Sequence, residues 1–108
     1  MYSALPDPIA CYFRAQNAGD VDGMLAAIAP QARVRDEGQD HTGSAAIRAW
    51  IDDTTRKYRP TLTPLDVEQM DGRTVVKVRV SGTFPGSPIE LPFHFKLDDG
   101  MIATLEIG

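Results

Sequence analysis

The sequence has very little cysteine and no long apolar stretch. Its 108 residues include a single cysteine, Cys11, which excludes an internal disulfide and a cysteine-based zinc motif. The two histidines, His41 and His94, stand far apart and form no metal-binding pattern. No apolar run reaches the roughly 20 residues that a membrane-spanning helix needs. We therefore expect no disulfide, no metal and no other cofactor.

Basic residues are also scarce. The sequence has 11 Lys and Arg residues and 15 Asp and Glu residues, which gives a net charge of −4. Proteins that bind nucleic acids or acidic lipids use clusters of basic side chains to contact phosphates, and the sequence has no such cluster. We expect no nucleic-acid partner and no membrane partner. The N-terminus lacks the basic and apolar segments of a signal peptide, which predicts a cytoplasmic protein.

What the sequence does contain is typical of a folded domain. Hydrophobic residues make up 43% and charged residues 24% of the chain, as in ordinary globular proteins. No repeat, linker or low-complexity segment interrupts it. The length is common for one domain, so we predict a single domain over residues 1–108.

Helical spacing of apolar residues dominates the first half of the chain. One predicted helix begins at Asp7–Pro8, where Asp7 is expected to cap it, and ends at the Asn17–Asp20 corner. A second is predicted over Val21–Ile28, and a third runs from Gly43 to Pro60. These three helices precede most of the predicted strands.

A strand predicted over Ala32–Glu37 carries the most informative residue. Three charged side chains share one face of this strand, whereas Val34 and Asp36 share the other, which predicts that Asp36 points inward. Partial burial raises the pKa of a carboxyl group and suits it to act as a general base. The alternative is a carboxylate paired with an arginine or a backbone N–H.

In the second half of the chain, apolar and polar residues alternate with a period of two, as in β-strands. Turn sequences such as Asp71-Gly72 and Asp98–Gly100 separate four further strands and predict consecutive hairpins. Such hairpins form a mostly antiparallel sheet, and the helices must cover one of its faces. A curved sheet under helices leaves a pocket, which is the usual place for a small ligand.

Seven large or apolar residues are candidates to line that pocket. The alternative for each is a place in the core, which sequence alone does not separate from a pocket wall. The candidates are Phe13, Val34, Trp50, Phe84, Phe93, Phe95 and Met101.

Three segments resemble one known superfamily: Tyr12–Gly23, Ala32–Asp36 and Thr42–Arg48. They are similar to the first helix with its Asn-Ala-Gly-Asp corner, the aspartate strand and the Gly-x-x-Ala-Ile helix start of ketosteroid isomerases and SnoaL-like polyketide cyclases. The resemblance implies the nuclear-transport-factor-2-like fold. This is an α+β cone in which a curved, mostly antiparallel sheet carries three helices of the N-terminal half on its concave face, as in cystatin-like rolls.

The resemblance also implies roles for individual residues. Tyr12 falls on the tyrosine that stabilises an oxyanion, and Asp36 falls on the general base. Phe93 stands where the isomerases carry a second, protonated acid. This departure predicts poor activity on steroid ketones.

The expected function is that of a homodimer that binds a small apolar carbonyl compound and isomerises or cyclises it by proton transfer. The dimer is expected to form through the outer sheet face, which includes Val75 and Ile102. One alternative is a non-catalytic ligand-binding or dimerisation domain. Another is an epoxide-opening hydrolase with an Asp-Arg-Asp set, which is disfavoured because Arg33 and Arg35 point away from Asp36.

Overall fold

A computed structural model describes residues 5–108 and shows an α+β fold, as the sequence predicts. Three helices lie in the N-terminal half and cover a curved, six-stranded open sheet. In chain order the elements are α1 (Asp7–Ala18), α2 (Val21–Ala26), β1 (Ile28–Asp36), β2 (Gln39–Thr42), α3 (Ser44–Tyr58), β3 (Thr61–Met70), β4 (Arg73–Ser81), β5 (Ile89–Asp98) and β6 (Met101–Ile107).

The strands are ordered β2-β1-β6-β5-β4-β3 in one sheet. The pairs β1–β2, β3–β4, β4–β5 and β5–β6 are antiparallel, as expected for strands joined by tight turns. The first and last strands, β1 and β6, are parallel neighbours. This pairing places β1, which carries Asp36 at its end, between β2 and the C-terminal strand β6.

Helices α1 and α2 meet at the predicted corner. Gly19 has φ 72°, a left-handed conformation that glycine adopts without strain and that ends α1. The carboxylate of Asp20 accepts the Gly23 N–H at 3.0 Å and caps α2. At the start of α1 the cap prediction was wrong, because Asp7 is the first helical residue and Pro6 precedes it.

The second helix is shorter than predicted. It ends at Ala26, and Ile28 is already the first residue of β1, where it pairs with Ile102. The N–H of Ile102 also donates to the Ala27 carbonyl at 2.9 Å. Ile28 continues the helical spacing of the apolar residues in α2, but it pairs with Ile102, 74 residues further along the chain, and is therefore part of a strand.

The core lies between the helices and the concave face of the sheet. Ile9 and Ile51 of the helices and Val76, Val78 and Phe95 of the sheet are all essentially inaccessible to solvent. Burial of such side chains contributes about 1.5–3 kcal/mol each relative to exposure.

One side-chain contact fixes α1 over the far edge of the sheet. The Asn17 amide donates to the Leu62 carbonyl at 2.7 Å, and its oxygen accepts the Leu62 N–H at 2.8 Å. The contact joins residues 45 apart in sequence and satisfies both backbone groups of Leu62. It therefore fixes α1, and with it Tyr12, relative to β3.

Ile102 does not lie on the outer sheet face as predicted, because it is fully buried in the core. The ladder between β5 and β6 shifts register between Lys96 and Leu97, so strict alternation along β6 fails there. Within residues 5–108, no helix has both the length and the apolar character needed to cross a bilayer.

Candidate functional site

A cavity of about 320 Å³ lies between the helices and the concave sheet face. Its wall is mainly apolar and aromatic and contains few polar side chains, as in most small-molecule sites. The lining residues are Tyr12, Asp36, Glu37, Trp50, Thr54, Tyr58, Pro60, Leu62, Val80, Phe84, Pro85, Ile89, Leu91, Phe93 and Ile107.

Tyr12 and Asp36, the two residues for which the sequence predicts catalytic roles, line this same cavity. Tyr12 extends from the middle of α1, and Asp36 is the last residue of β1. The alternation along β1 explains the placement of Asp36, since Val34 on the same face is fully buried. The geometry brings one hydroxyl and one carboxylate to a shared apolar space.

The predicted ligand-binding residues divide into two groups. Trp50, Phe84 and Phe93 line the cavity together with Tyr12 and Asp36. Phe13, Val34 and Phe95 lie outside the lining and are at least 97% buried in the core. Met101 begins β6 beside the last turn and also lies outside the lining.

Burial raises the pKa of the Asp36 carboxyl above its usual value. The neighbouring Glu37 carboxylate also raises it. The indole Nε1–H of Trp50 acts in the opposite direction by donating to Asp36 Oδ2 at 3.0 Å, which favours the anion. The carboxylate is therefore partly desolvated and still hydrogen-bonded, as a general base in an apolar pocket should be.

Among the described residues that line the cavity, Tyr12 has a hydroxyl that donates to no other side chain or carbonyl. Among the lining hydroxyl and indole groups, Trp50 donates to Asp36, Thr54 donates to the Trp50 carbonyl at 2.9 Å, and Tyr58 donates to Glu37 at 3.0 Å. Among residues 5–108, none accepts a hydrogen bond from the Tyr12 hydroxyl. Burial and the nearby Asp36 carboxylate raise the pKa of Tyr12, so its hydroxyl stays protonated and able to donate.

Sequence reasoning placed Glu37 on the wet face of its strand, but this residue lines the cavity. Its φ of 54° lies in the left-handed region, so the chain turns away from the strand there and alternation no longer applies. Glu37 accepts the Tyr58 hydroxyl, and the Tyr58 ring meets Phe84 edge-on at 5.8 Å between centroids. These three residues form the rim of the cavity.

One signal could have identified part of this wall from sequence. Trp50, Thr54 and Tyr58 are spaced by four residues, which places them on one stripe of α3. All three line the cavity. The sheet residues Val80, Leu91 and Ile107 carry no comparable signal, because inward valines and leucines look alike in the core and in a pocket wall.

A second, more polar cleft of about 280 Å³ lies on the other side of Trp50 and Asp36, between β2 and α3. His41 lines this cleft, and its ring lies 6.0 Å from that of Trp50. His94 lies on β5 outside both spaces. Its Nδ1 is buried without a hydrogen-bond partner among the described residues.

Among the described residues, no arginine lines the cavity. Arg33 and Arg35 are exposed and lie outside the lining, and Arg35 pairs with Asp40 at 3.1 Å. In the part of the chain that the structure describes, no three His, Cys, Asp or Glu side chains are grouped so that they could hold a metal ion.

The family model of the SnoaL-like domain matches residues 9–105 of this chain. No curated protein matches the sequence. Solved structures do match. A candidate polyketide cyclase from Sinorhizobium meliloti is 38% identical over 97% of this chain and 96% of its own, with a TM-score of 0.94.

Two further solved structures are similar over 94% of the chain. A candidate polyketide cyclase from a Silicibacter species is 30% identical, with 85% of its own chain covered and a TM-score of 0.79. A nuclear-transport-factor-2-like protein of unknown function from Cytophaga hutchinsonii is 13% identical, with 86% of its chain covered and a TM-score of 0.77. At this low identity the second likeness concerns the fold alone.

Proposed function

This chain belongs to the SnoaL-like domain family, and from that premise we propose that it binds a small, largely apolar carbonyl compound and moves a proton on it. The observation that carries the proposal is that Tyr12, whose hydroxyl has no hydrogen-bond partner among residues 5–108, and the partly desolvated carboxylate of Asp36 line a single apolar cavity. Relatives described as candidate polyketide cyclases support this class of chemistry.

In the proposed reaction, the carbonyl oxygen of the ligand accepts a hydrogen bond from Tyr12 and its apolar body fills the cavity. The Asp36 carboxylate removes a proton from the carbon next to the carbonyl, so a C–H bond breaks and an O–H bond forms. The electron pair moves to the carbonyl oxygen, where the Tyr12 hydroxyl stabilises the negative charge. Asp36 then returns its proton, either to another carbon in an isomerisation or to the oxygen formed when the enolate attacks a second carbonyl.

Filling the cavity is expected to weaken ligand binding. Val80 lies on the wall at the end of β4, so Val80→Phe places a ring where the ligand would sit. We expect the affinity for a small apolar ketone to fall by about tenfold or more, which corresponds to about 1.4 kcal/mol. The chain has one tryptophan, and it lines the cavity, so quenching of Trp50 fluorescence measures the binding.

Val67→Phe is the matched control for this measurement. Val67 lies opposite Val76 on the neighbouring strand, packs against the core and does not line the cavity. The same increase in volume there should cost stability and leave the affinity close to that of the wild type. Equal loss of affinity in both variants, or no loss in Val80→Phe, would contradict binding in this cavity.

A homodimer formed through the outer sheet face is also proposed. A cleft on that face is lined by Val75 and Pro92 together with Lys77 and the acidic residues Asp66, Glu68 and Glu90. In a two-fold dimer through this face, the second copy covers the apolar residues. Light scattering at micromolar concentration should give twice the mass of the chain, and Val75→Asp should give the monomer mass. A wild-type monomer would rule out this dimer.

A further inference from the structure

The Asp36 carboxylate is held by one side-chain donor, the indole of Trp50. Nε1 donates to Oδ2 across 3.0 Å, and no side chain of the described residues donates to the other oxygen, Oδ1. Trp50 is only 8% exposed, so its N–H would lose its partner if the carboxylate turned away. A buried donor without an acceptor is costly, and the contact therefore restrains both groups.

Trp50 and Asp36 belong to the wall between two different spaces, together with Glu37 and Thr54. Both residues line the apolar cavity, and both line the polar cleft between β2 and α3. On the cleft side, the ring of His41 lies 6.0 Å from that of Trp50 and is tilted by 31°. The indole is thus fixed between a ring on one side and a ligand cavity on the other.

A carboxylate in this wall is subject to opposing effects. The apolar cavity favours the neutral, protonated form of the carboxyl group. In that form the group cannot act as a base, because it already carries a proton. The indole N–H favours the anion, because hydrogen bonds to a charged acceptor are stronger than those to a neutral one. The pKa of Asp36 is raised by burial and by the Glu37 carboxylate and lowered by the Trp50 indole, the Glu37 backbone N–H and His41, and of the lowering effects that of the indole is the largest.

We propose that Trp50 is the positioning residue of this site, whose indole N–H holds Asp36 Oδ2 so that the carboxylate remains an anion in the cavity wall with Oδ1 as the proton acceptor. The inference rests on the proposed function of Asp36 as a base. Trp50 acts through Asp36 and makes no contact with the reacting carbon or oxygen.

Other ionisable groups also face Asp36. Glu37 adjoins it in the chain, His41 faces it from β2, Tyr12 from α1 and Tyr58 from the end of α3. Removing only the indole N–H leaves these four groups in place. A change in the Asp36 titration after that replacement is therefore due to the lost hydrogen bond.

The chain's single tryptophan makes this replacement possible. Biosynthetic incorporation of benzothienylalanine, in which sulfur replaces the indole N–H, alters Trp50 alone and keeps the shape of the ring. The Asp36 carboxyl is then titrated by carbon NMR with labelled aspartate, and its signal is identified by its loss in Asp36→Asn. The pKa of Asp36 should be higher in the benzothienyl protein than in wild type, and higher also in Trp50→Phe.

Ile51→Val controls for general disturbance of α3, since Ile51 is buried next to Trp50 and lies outside the cavity lining. Its Asp36 titration should match wild type. An unchanged Asp36 pKa in the benzothienyl protein would overturn the positioning role. So would an equal shift in Ile51→Val.

The same titration separates this inference from the proposed function. If wild type turns over a ketone, the benzothienyl protein should show its kcat profile displaced to higher pH with KM little changed. If the pKa rises without the N–H but wild type has no turnover, Trp50 still holds the carboxylate, and the proposed proton transfer is wrong instead.

Discussion

Replacing Asp36 with asparagine is expected to lower the turnover of a small β,γ-unsaturated ketone by about a hundred- to ten-thousandfold, the usual contribution of a positioned general base. The amide fits the same space and still accepts the Trp50 N–H through its oxygen, but it does not take up a proton from carbon. In the wild type, turnover should rise with pH through the Asp36 titration, because only the carboxylate is reactive. Steady-state rates across the pH range measure both effects. Wild-type turnover in Asp36→Asn would contradict the mechanism.

The thermal stability of the Asp36→Asn variant is a second expected result. It tests whether the variant loses activity while it remains folded. Burial raises the pKa of Asp36 in the folded protein above its unfolded value of 3.8, so the folded state binds this proton more tightly. The stabilisation from that proton is complete below the unfolded pKa and is lost as the pH rises through the folded pKa. The asparagine side chain does not ionise, so the Asp36→Asn variant should melt above wild type at pH 7, with a smaller difference near pH 4. A variant that melts below wild type at pH 7 would show that burial is not the dominant effect.

Tyr12→Phe is expected to reduce turnover by about a hundred- to a thousandfold, or about 2.7–4 kcal/mol of transition-state stabilisation. The Tyr12 hydroxyl in the cavity wall has no acceptor among the described residues, and Phe93, which lines the same cavity, offers no second donor to replace it. The loss should appear mainly in kcat, because the hydrogen bond strengthens as charge develops on the ligand oxygen. The ring that packs edge-on against Phe95 at 6.1 Å remains, so folding should persist.

Ile9→Val is the matched control on the same helix. Ile9 is fully buried one turn before Tyr12 and lies outside the cavity lining. The variant should lose about 0.5–1.5 kcal/mol of unfolding free energy and keep wild-type kcat. Tyr12→Phe with unchanged kcat, on a substrate that wild type turns over, would remove the hydroxyl from the mechanism. If wild type binds apolar ligands without any turnover, the non-catalytic binding domain becomes the better description.

Local sequence signals sufficed where neighbouring residues decide the structure. The Asp71-Gly72 turn, the end of α1 at Gly19 and the alternation that turns Asp36 inward are confirmed by the structure. Each depends on the conformational preference of a few adjacent residues or on the strict period of a strand. The family resemblance added the cone-shaped fold, which the match over residues 9–105 confirms.

Contacts between distant segments decided the rest. Ile28 belongs to a strand and not to the predicted helix, because β1 pairs with β6. The left-handed conformation of Glu37 places its carboxylate at the cavity rim. Whether an aromatic residue is core or wall depends on which elements pack over it, so Phe93 borders the cavity while Phe95, two residues along the same strand, is enclosed by α1 and the sheet.

The sequence by itself therefore determined the element order and the inward direction of the Asp36 side chain, because these follow from local preference and periodicity, and its resemblance to a known superfamily gave the fold. Only the tertiary structure decided that the indole of Trp50, 14 residues further on, donates to that carboxylate. It also decided that Tyr12 lines the same cavity and that its hydroxyl has no partner among the described residues. The physical reason is that a hydrogen bond requires atoms within about 3 Å, and helix spacing and strand parity fix directions but not such distances between elements.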